Sequence, residues 1–146
     1  MTNIKIKYKL KIRIILKIMT KNRKLIYSIV NSSCEHMTAD EIYIKVKKQN
    51  CKMVYATVYN CLSYLVEQGL IRRIQVANNA DRYDKNTIMH DHFLCKKCGK
   101  VMDEKPRFNS FTGFDENENK IESYELIYYG ICKECLNKEG KNYEKI

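Results

Sequence analysis

The stretch "YATVYNCLSYLVEQG" (residues 55–69) places apolar side chains at helical spacing and ends on a glycine. One face of the predicted helix carries Val58, Leu62, Leu65 and Val66. The opposite face carries Ala56, Asn60, Ser63 and Glu67. Gly69 stands where a glycine commonly ends a helix, because glycine adopts the left-handed backbone at little cost. We therefore predict a helix with one buried and one exposed face.

The segments around this helix predict a winged helix-turn-helix. Upstream, "TKNRKLIYSIVNS" (20–32) has Thr20 as a candidate N-cap, and in "HMTADEIYIKVKKQN" (36–50) Thr38 and Glu41 have capping-box spacing. Downstream, "LIRRIQV" (70–76) and "RYD" (82–84) indicate two strands joined by a turn. Three helices followed by a basic hairpin is the order of a winged helix, whose second turn helix enters the major groove.

The exposed face of residues 55–68 offers groups that contact base edges. Thr57, Tyr59 and Asn60 carry hydroxyl and amide groups near the helix start, and Ala56 is small enough for close approach. The hairpin adds cationic side chains for phosphates, namely Arg72, Arg73 and Arg82. The alternative is that Tyr59 belongs to the core and Asn60 only faces solvent.

Basic charge is concentrated in the first part of the chain. Residues 1–85 hold 17 Lys/Arg against 6 Asp/Glu, a net charge of +11, and residues 86–146 hold 10 against 11, a net charge of −1. A basic part of this kind favours binding of a polyanion such as DNA, because neutralising the phosphates releases counterions. A lysine-rich solvated surface is the equal alternative. We assign residues 1–85 to a DNA-binding domain and 86–146 to a second domain.

The stretch "IKIKYKLKIRII" (4–15) alternates between apolar and basic residues. This period predicts an edge strand, with a basic arm over residues 1–16 lying on DNA as the alternative. The alternation leaves no apolar core for a signal peptide, and no apolar run approaches the roughly 20 residues that a membrane helix needs. We therefore expect a protein of the reducing cytosol with no membrane partner, in which cysteine pairs bind metal.

Two CxxC motifs predict a structural zinc site. Cys95 and Cys98 form one pair, and Cys132 and Cys135 form the other, with 33 residues between the two motifs. Four thiolates complete a tetrahedron around Zn²⁺ with no open position. A redox dithiol and two unrelated pairs are the alternatives. The other cysteines, Cys34, Cys51 and Cys61, lack partners at ligand spacing and are expected to be small buried hydrophobes.

If the cysteines saturate one metal, the histidines are left for a second. His90 and His92 stand two residues apart, which places both on one face of a strand. His36, Asp84 and Asp103 would complete a mixed nitrogen and oxygen site that suits Fe²⁺ or Mn²⁺. Spacing alone does not require this site, and scattered surface histidines with a wing aspartate are the more ordinary interpretation.

Taken together, the motifs resemble the ferric uptake regulator family. They occur in its order over roughly residues 17–137: "HMTADEIY", "ATVYNCL", "GLIRRI", "RYD", "HDHFLCKKCGKVMD" and "YYGICKEC". The resemblance implies an α+β fold, with an N-terminal winged helix and a small C-terminal α/β dimerisation domain. It also implies a homodimer that binds palindromic double-stranded operator DNA.

Within that family, the chain looks most like the peroxide-responsive repressors. The resemblance places the regulatory Fe²⁺ or Mn²⁺ on His36, Asp84, His90, His92 and Asp103. The iron-sensing branch tends to have glutamate at the positions of Asp84 and Asp103, and arginine at that of Asn60. In the mechanism it implies, Fe²⁺ and peroxide oxidise His36 or His90, the metal leaves and repression ends. The sensor is consumed, so we do not expect an enzyme, nor any small-molecule substrate besides peroxide as the signal.

The chain also departs from the family pattern. Tyr124 stands where many members have a histidine of an additional metal site, and the polar stretch 104–123 is weakly patterned. TKNR replaces the usual TPQR at residues 20–23, and the basic start is atypical. Two other functions stay open: a repressor that responds to iron or another metal without peroxide chemistry, and a zinc-ribbon interaction module with no DNA role.

Overall fold

The structure, a computed structural model, describes residues 10, 12–107 and 113–138. The chain divides into two compact units, residues 1–87 and 88–146. Helices dominate the first unit and strands the second, so the fold is α+β. None of the helices in the described ranges is long and apolar enough to cross a membrane.

Among its described residues, the first unit contains four helices: α1 (12–18), α2 (Lys21–Ser32), α3 (Ala39–Gln49) and α4 (Tyr55–Glu67). The predicted caps are confirmed. Thr20 accepts a hydrogen bond from the Arg23 N–H at 3.4 Å. Thr38 accepts one from the Glu41 N–H at 3.2 Å, and the Glu41 carboxylate accepts the Thr38 N–H at 2.7 Å. Each cap satisfies donors that the first helical turn leaves unpaired.

The strand predicted over residues 4–15 is wrong for the part that the structure describes. Residues 12–18 are helical, because Ile15 and Met19 recur at helical spacing and are buried in the core of the first unit. Ile12 and Leu16 pack against the same core. Residues 1–9 and 11, which make up most of the predicted basic arm, lie outside the described residues.

The core of the first unit lies between α2, α3 and α4. Its fully buried side chains include Ile26, Ile42, Val46, Val58, Leu62 and Leu65. Helix α4 ends as predicted. Gly69 has φ +65°, the Gly69 N–H bonds to the Val66 carbonyl at 2.9 Å, and the Leu70 N–H bonds to the Leu65 carbonyl at 2.9 Å. This paired closure turns the chain directly into the wing.

The wing is an antiparallel hairpin of β2 (Arg72–Ile74) and β3 (Arg82–Asp84), as predicted. A short strand that the sequence did not suggest, β1 (Met37–Thr38), pairs with the other edge of β3. In this register Met37 faces Tyr83 and Thr38 faces Arg82. The pairing thereby brings the residue before β1, His36, to the end of β3 that carries Asp84.

The second unit is built on a three-stranded sheet. Along the chain it contains β4 (Asp91–Cys95), β5 (Val101–Glu104), β6 (Gly113–Phe114), β7 (Lys120–Ile121), β8 (Ile127–Gly130) and α5 (Lys133–Lys138). Strand β4 is central, antiparallel to β5 and parallel to β8, while β6 and β7 form a separate hairpin. Gly130 leaves room for the Phe93 ring, which would lie 2.9 Å from an added Cβ.

Replacing Gly69 tests the end of α4. We expect Gly69→Ala to lower the free energy of unfolding by about 1–2 kcal/mol, because an alanine Cβ clashes with the backbone at positive φ. Gly69→Asn is the matched control and should cost less, since asparagine tolerates this conformation. Urea unfolding followed by circular dichroism measures both. Equal stability of the alanine variant and the unsubstituted protein would contradict the prediction.

Candidate metal centres and DNA-binding face

The four cysteines of the CxxC motifs come together in the second unit. Their sulfur atoms lie within 4.8 Å of one another, with Cys95, Cys132 and Cys135 buried. Cys95 closes β4, and Cys132 follows two residues after β8, so the two parallel strands deliver one motif each. The sulfurs of Cys98 and Cys132 are 3.8 Å apart. A tetrahedron with Zn–S bonds of about 2.3 Å has edges of about 3.8 Å, so the spacing fits zinc.

Backbone donors favour the thiolate form at this cluster. Burial raises the pKa of Cys95, but N–H groups of Cys132, Cys98 and Lys97 outweigh it and bring the pKa to about 6. The Cys132 N–H lies 3.2 Å from the Cys95 sulfur. For Cys135, burial and the neighbouring thiols raise the pKa to about 12. Four thiols in this environment do not all ionise together without a cation, and a divalent metal supplies that charge.

The remaining cysteines lie outside this cluster. Cys61 is buried in the core of the first unit, as expected of a small hydrophobe. The same expectation is wrong for Cys34 and Cys51, which are exposed. Cys34 sits in the loop after α2, and Cys51 lies just past the end of α3, where no apolar element covers them.

His90, His92 and Asp103 form a cluster in the second unit. The pairing of β4 with β5 sets His92 opposite Asp103, and the two imidazole rings lie 4.5 Å apart. His90 Nε2 is 3.2 Å from Asp103 Oδ1, and His92 Nε2 is 4.0 Å from the same oxygen. His90 Nδ1 donates to the Ile88 carbonyl at 2.7 Å, because a carbonyl can only accept. With Nδ1 as the donor, a metal-binding imidazole would present the lone pair of Nε2 toward the same point as the Asp103 carboxylate, an arrangement that a bound cation would stabilise.

His36 and Asp84 form a second pair, within the first unit. His36 Nε2 lies 3.7 Å from Asp84 Oδ1, and both side chains are largely buried. The β1–β3 pairing described above makes them neighbours across 48 residues of sequence. The Asn86 N–H also donates to Asp84 Oδ1 at 2.8 Å, which orients the carboxylate. One imidazole and one carboxylate here are suitable ligands for Fe²⁺, Mn²⁺ or Zn²⁺.

Two basic residues that flank Asp84 hold the loop that carries His36. Arg82 Nη1 donates to the His36 carbonyl at 3.2 Å and lies 3.4 Å from the Glu41 carboxylate that caps α3. Lys85 Nζ donates to the Ser33 carbonyl at 2.7 Å. The expectation that Arg82 contacts phosphate therefore does not match its largely buried side chain. Sequence reasoning missed both roles, because the partners are backbone carbonyls about 50 positions away.

Asp91, between the two histidines, is fully buried. Its Oδ2 accepts the Arg107 N–H at 3.0 Å and the Tyr128 hydroxyl at 3.1 Å. Burial, followed by this hydrogen bond, raises the pKa of Tyr128. These bonds tie the strand that carries His92 to β8 and to the segment after β5. Side chains alternate between the two faces of a strand, so the sequence could have predicted that Asp91 lies on the face opposite His90 and His92.

The predicted DNA-contacting side chains of α4 lie on one accessible face. Ala56, Tyr59 and Asn60 are exposed, and Thr57 is half-buried. Tyr59 retains 39% exposure, which excludes the interpretation that it belongs to the core. Its ring lies 6.2 Å from that of Tyr55, which in turn contacts Tyr43 edge-on at 5.3 Å. Sequence reasoning did not include Tyr55 in this face, although its position as the first residue of α4 could have indicated it.

The two wing arginines differ in their surroundings. Arg72 is half-buried on β2 and Arg73 is exposed. The Arg73 guanidinium forms an ion pair with Asp81, with Nε donating to Oδ2 at 2.6 Å. This hydrogen bond raises the pKa of Arg73 above its already high ordinary value. Arg73 therefore does not extend freely from the wing, as a simple phosphate contact would.

Comparison with known proteins adds sequence similarity to this geometry. A model of the ferric uptake regulator family matches residues 16–129. The peroxide-responsive repressor PerR of Staphylococcus aureus (strain USA300) is 33% identical over 127 residues, which cover 82% of each chain.

Solved structures give the same result for the fold. The Campylobacter jejuni peroxide stress regulator matches with a TM-score of 0.61 and 28% identity, over 78% of this chain and 88% of that one. The Helicobacter pylori ferric uptake regulator Fur, a protein with three functional metal-binding sites, matches with a TM-score of 0.68. It is 20% identical over 88% of this chain and 91% of its own, and it therefore supports the fold alone.

Removing one thiol tests the cysteine cluster. We expect Cys98→Ser to lower bound zinc from one ion per chain and to lower the melting temperature, because the tetrahedron loses a ligand. Cys51→Ser is the matched control, an exposed cysteine outside the cluster. Elemental analysis after dialysis against EDTA, followed by calorimetry, measures both variants. If Cys98→Ser keeps one zinc ion per chain after dialysis, the four-thiolate site is wrong.

Proposed function

The chain belongs to the ferric uptake regulator family of metal-responsive repressors, and we propose that it senses hydrogen peroxide. In this proposal a homodimer binds double-stranded operator DNA while a regulatory metal is bound, and peroxide ends the repression. The observation that carries the proposal is the pair of histidine and aspartate clusters, one in each unit. We place this function in the reducing cytosol, where Fe²⁺ and zinc thiolates persist.

The two clusters together offer the ligand set that the proposal needs. We propose that His36 and Asp84 bind the same ion as the ligands of the second unit, namely His90, His92 and Asp103. Three imidazoles and two carboxylates suit Fe²⁺ or Mn²⁺ and leave one octahedral position for another molecule. The four-cysteine cluster would hold Zn²⁺ separately, with no open position and hence a structural role.

Aspartates at both carboxylate positions support peroxide sensing over iron sensing alone. The chain has Asp84 and Asp103 where the iron-sensing branch tends to have glutamate, and Asn60 where it tends to have arginine. The S. aureus relative is named for its response to peroxide. A repressor that responds to iron or another metal without peroxide chemistry is the alternative that the experiment below separates.

The residues of the chain set the course of the chemistry. Bound Fe²⁺ would supply the electrons that cleave the O–O bond of peroxide. His90 is held through its Nδ1 by the Ile88 carbonyl, and His36 lies on a loop held by Arg82. The ring carbons of both residues would lie beside an ion held by their nitrogens. Peroxide reduced there would transfer one oxygen to a ring carbon, which loses its hydrogen, and release the other oxygen as water. An imidazole that gains oxygen loses its affinity as a ligand, and the change consumes the chain itself, which is why we do not propose an enzyme.

Loss of the metal would act on DNA binding through the first unit. His36 immediately precedes β1, and Thr38 at the other end of β1 caps α3. Helix α3 packs against α4, whose exposed face we propose to contact base edges through Ala56, Thr57, Tyr59 and Asn60. We propose Arg72 and Arg73 as phosphate contacts of the wing. Metal bound to His36, next to α3 and α4, would thus bias the position of these two helices.

The deciding experiment compares the Fe²⁺ and Mn²⁺ forms before and after peroxide. The operator is a duplex selected from a random-sequence library by the Mn²⁺ form. We expect stoichiometric peroxide to abolish binding by the Fe²⁺ form and to leave the Mn²⁺ form unchanged, because Mn²⁺ does not support this reaction. Mass spectrometry should find one added oxygen atom on the peptide that contains His36 or His90.

Asp103→Glu is the control variant, and we expect it to bind operator but to oxidise more slowly. If the Fe²⁺ form keeps its DNA affinity and unmodified histidines after peroxide, the metal-responsive alternative replaces the proposal. If DNA affinity depends on neither metal nor salt, the chain is an interaction module rather than a repressor.

Arg82 offers a test of the His36 side of the site. We expect Arg82→Met to weaken Mn²⁺ binding about tenfold or more, because removing a residue that orients a ligand commonly has this effect. Arg82→Lys should recover part of the affinity by keeping one donor. Arg23→Met removes the same charge from the first unit, where Arg23 lies over the Tyr64 ring, and should leave Mn²⁺ affinity unchanged. A lower melting temperature with unaltered Mn²⁺ affinity would mean that Arg82 only stabilises the fold.

A further inference from the structure

We propose that Asp81 holds Arg73 in an ion pair that competes with DNA phosphates and thereby limits the affinity of the wing for DNA. The inference rests on the DNA-binding part of the proposed function and is independent of the peroxide response. It assigns a role to an acidic residue on a face whose basic residues are expected to provide the affinity.

The ion pair is built into the wing hairpin. Arg73 lies at the centre of β2, opposite Tyr83, and Asp81 immediately precedes β3. Both nitrogens that face the carboxylate are engaged, because Nε and Nη2 each approach Asp81 Oδ2. The side chains are 39% and 25% exposed, so solvent screens the pair only in part. A neighbour on the same hairpin needs little ordering to reach Arg73, which lowers the entropic cost of the pairing.

The surroundings of Asp81 coincide with the proposed DNA-binding face. Asp81 lines a cavity of about 290 Å³ together with Asp40, Tyr55, Tyr59 and Tyr83. Tyr55 and Tyr59 belong to the first turns of α4, the end of the helix that would reach base edges. Burial raises the pKa of Tyr83 to about 12, so its phenol remains neutral beside the carboxylate. DNA that reaches Tyr59 must therefore come close to Asp81.

A phosphate and Asp81 are competing anionic partners for the same guanidinium. Arg73 can neutralise a phosphate only when its bond with Asp81 is given up or shared, and the released carboxylate then repels the DNA backbone. The gain from each phosphate contact comes from counterion release, which needs a cation that is not already neutralised. The ion pair therefore lowers the part of DNA affinity that does not depend on sequence.

Asp40 provides a matched control on the same face. It lines the same cavity, but it accepts a hydrogen bond from Tyr55 and raises the pKa of that phenol after the larger effect of burial. Asp40→Asn removes one negative charge without releasing an arginine. Asp81→Asn removes the same charge and frees Arg73. The difference between the two variants separates release of Arg73 from a general change in charge.

The experiment measures binding of the full zinc- and Mn²⁺-loaded protein to a random-sequence 30-base-pair duplex over a range of salt concentrations. We expect Asp81→Asn to bind about two- to fivefold more tightly, the range that an exposed ion pair supports. The slope of log affinity against log salt should steepen by about one. Arg73→Met alone should bind more weakly than the unsubstituted protein, because it leaves the Asp81 carboxylate to repel the DNA backbone. The double variant should lose the whole gain of Asp81→Asn.

Several results would overturn the inference. The first is that Asp81→Asn binds DNA no more tightly than the unsubstituted protein. The second is that the gain in affinity persists in the double variant, and the third is that Asp40→Asn gains as much affinity as Asp81→Asn. Melting temperatures of all variants show whether a loss reflects unfolding, and Asp81→Glu, which keeps the carboxylate, should bind like the unsubstituted protein. The measurement with the random duplex uses neither an operator nor peroxide. Its result can therefore be interpreted even if the peroxide-sensing proposal fails.

Discussion

The second unit depends on the meeting of four cysteine sulfurs at the ends of two parallel strands. Few apolar side chains are buried among its described residues, and Phe93 and Met102 pack directly against Cys95, Cys132 and Cys135. Four thiolates this close together repel one another unless a cation lies between them. The free energy of metal binding therefore becomes free energy of folding. Strand β4 reaches this cluster at Cys95, and the same strand carries His92. The cluster therefore anchors the end of the strand whose pairing with β5 sets His92 opposite Asp103.

An equivalent constraint in the first unit is the pairing of β1 with β3. Two residues of β1 are enough to set His36 beside Asp84, because an antiparallel register determines every following neighbour. Arg82 connects this pairing to the capping box of α3 through Glu41. The loop that carries His36 and the capped start of α3 thus share one hydrogen-bonded network. A proposed sensor that changes DNA binding requires such a shared element, since a ligand can only shift states that it contacts differently.

The helices and the wing were predictable because their signals are local. Thr38 and Glu41 stand three residues apart, and Gly69 stands three residues after Val66, the last apolar residue of the α4 stripe. Residues 12–15 were wrongly predicted as part of a strand, because alternating basic residues hid the helical spacing of Ile15 and Met19. The four-cysteine cluster followed from its motifs, whereas the strand β1 and the carbonyl contacts of Arg82 depend on distant pairing that no local pattern records.

The formal charge of the first unit overestimates the number of cations that are available to bind DNA phosphates. Several of its cations bond within the unit: Lys85 to the Ser33 carbonyl, Lys47 to the Cys51 carbonyl, Arg82 to His36 and Arg73 to Asp81. A cation with an internal partner releases fewer counterions when a phosphate approaches, so the formal excess of +11 overstates the affinity that does not depend on sequence. Under the proposed function, discrimination between DNA sites would then depend relatively more on the exposed face of α4. For a repressor that must leave most of the genome unbound, weaker backbone affinity is an advantage, since competing sites greatly outnumber operators.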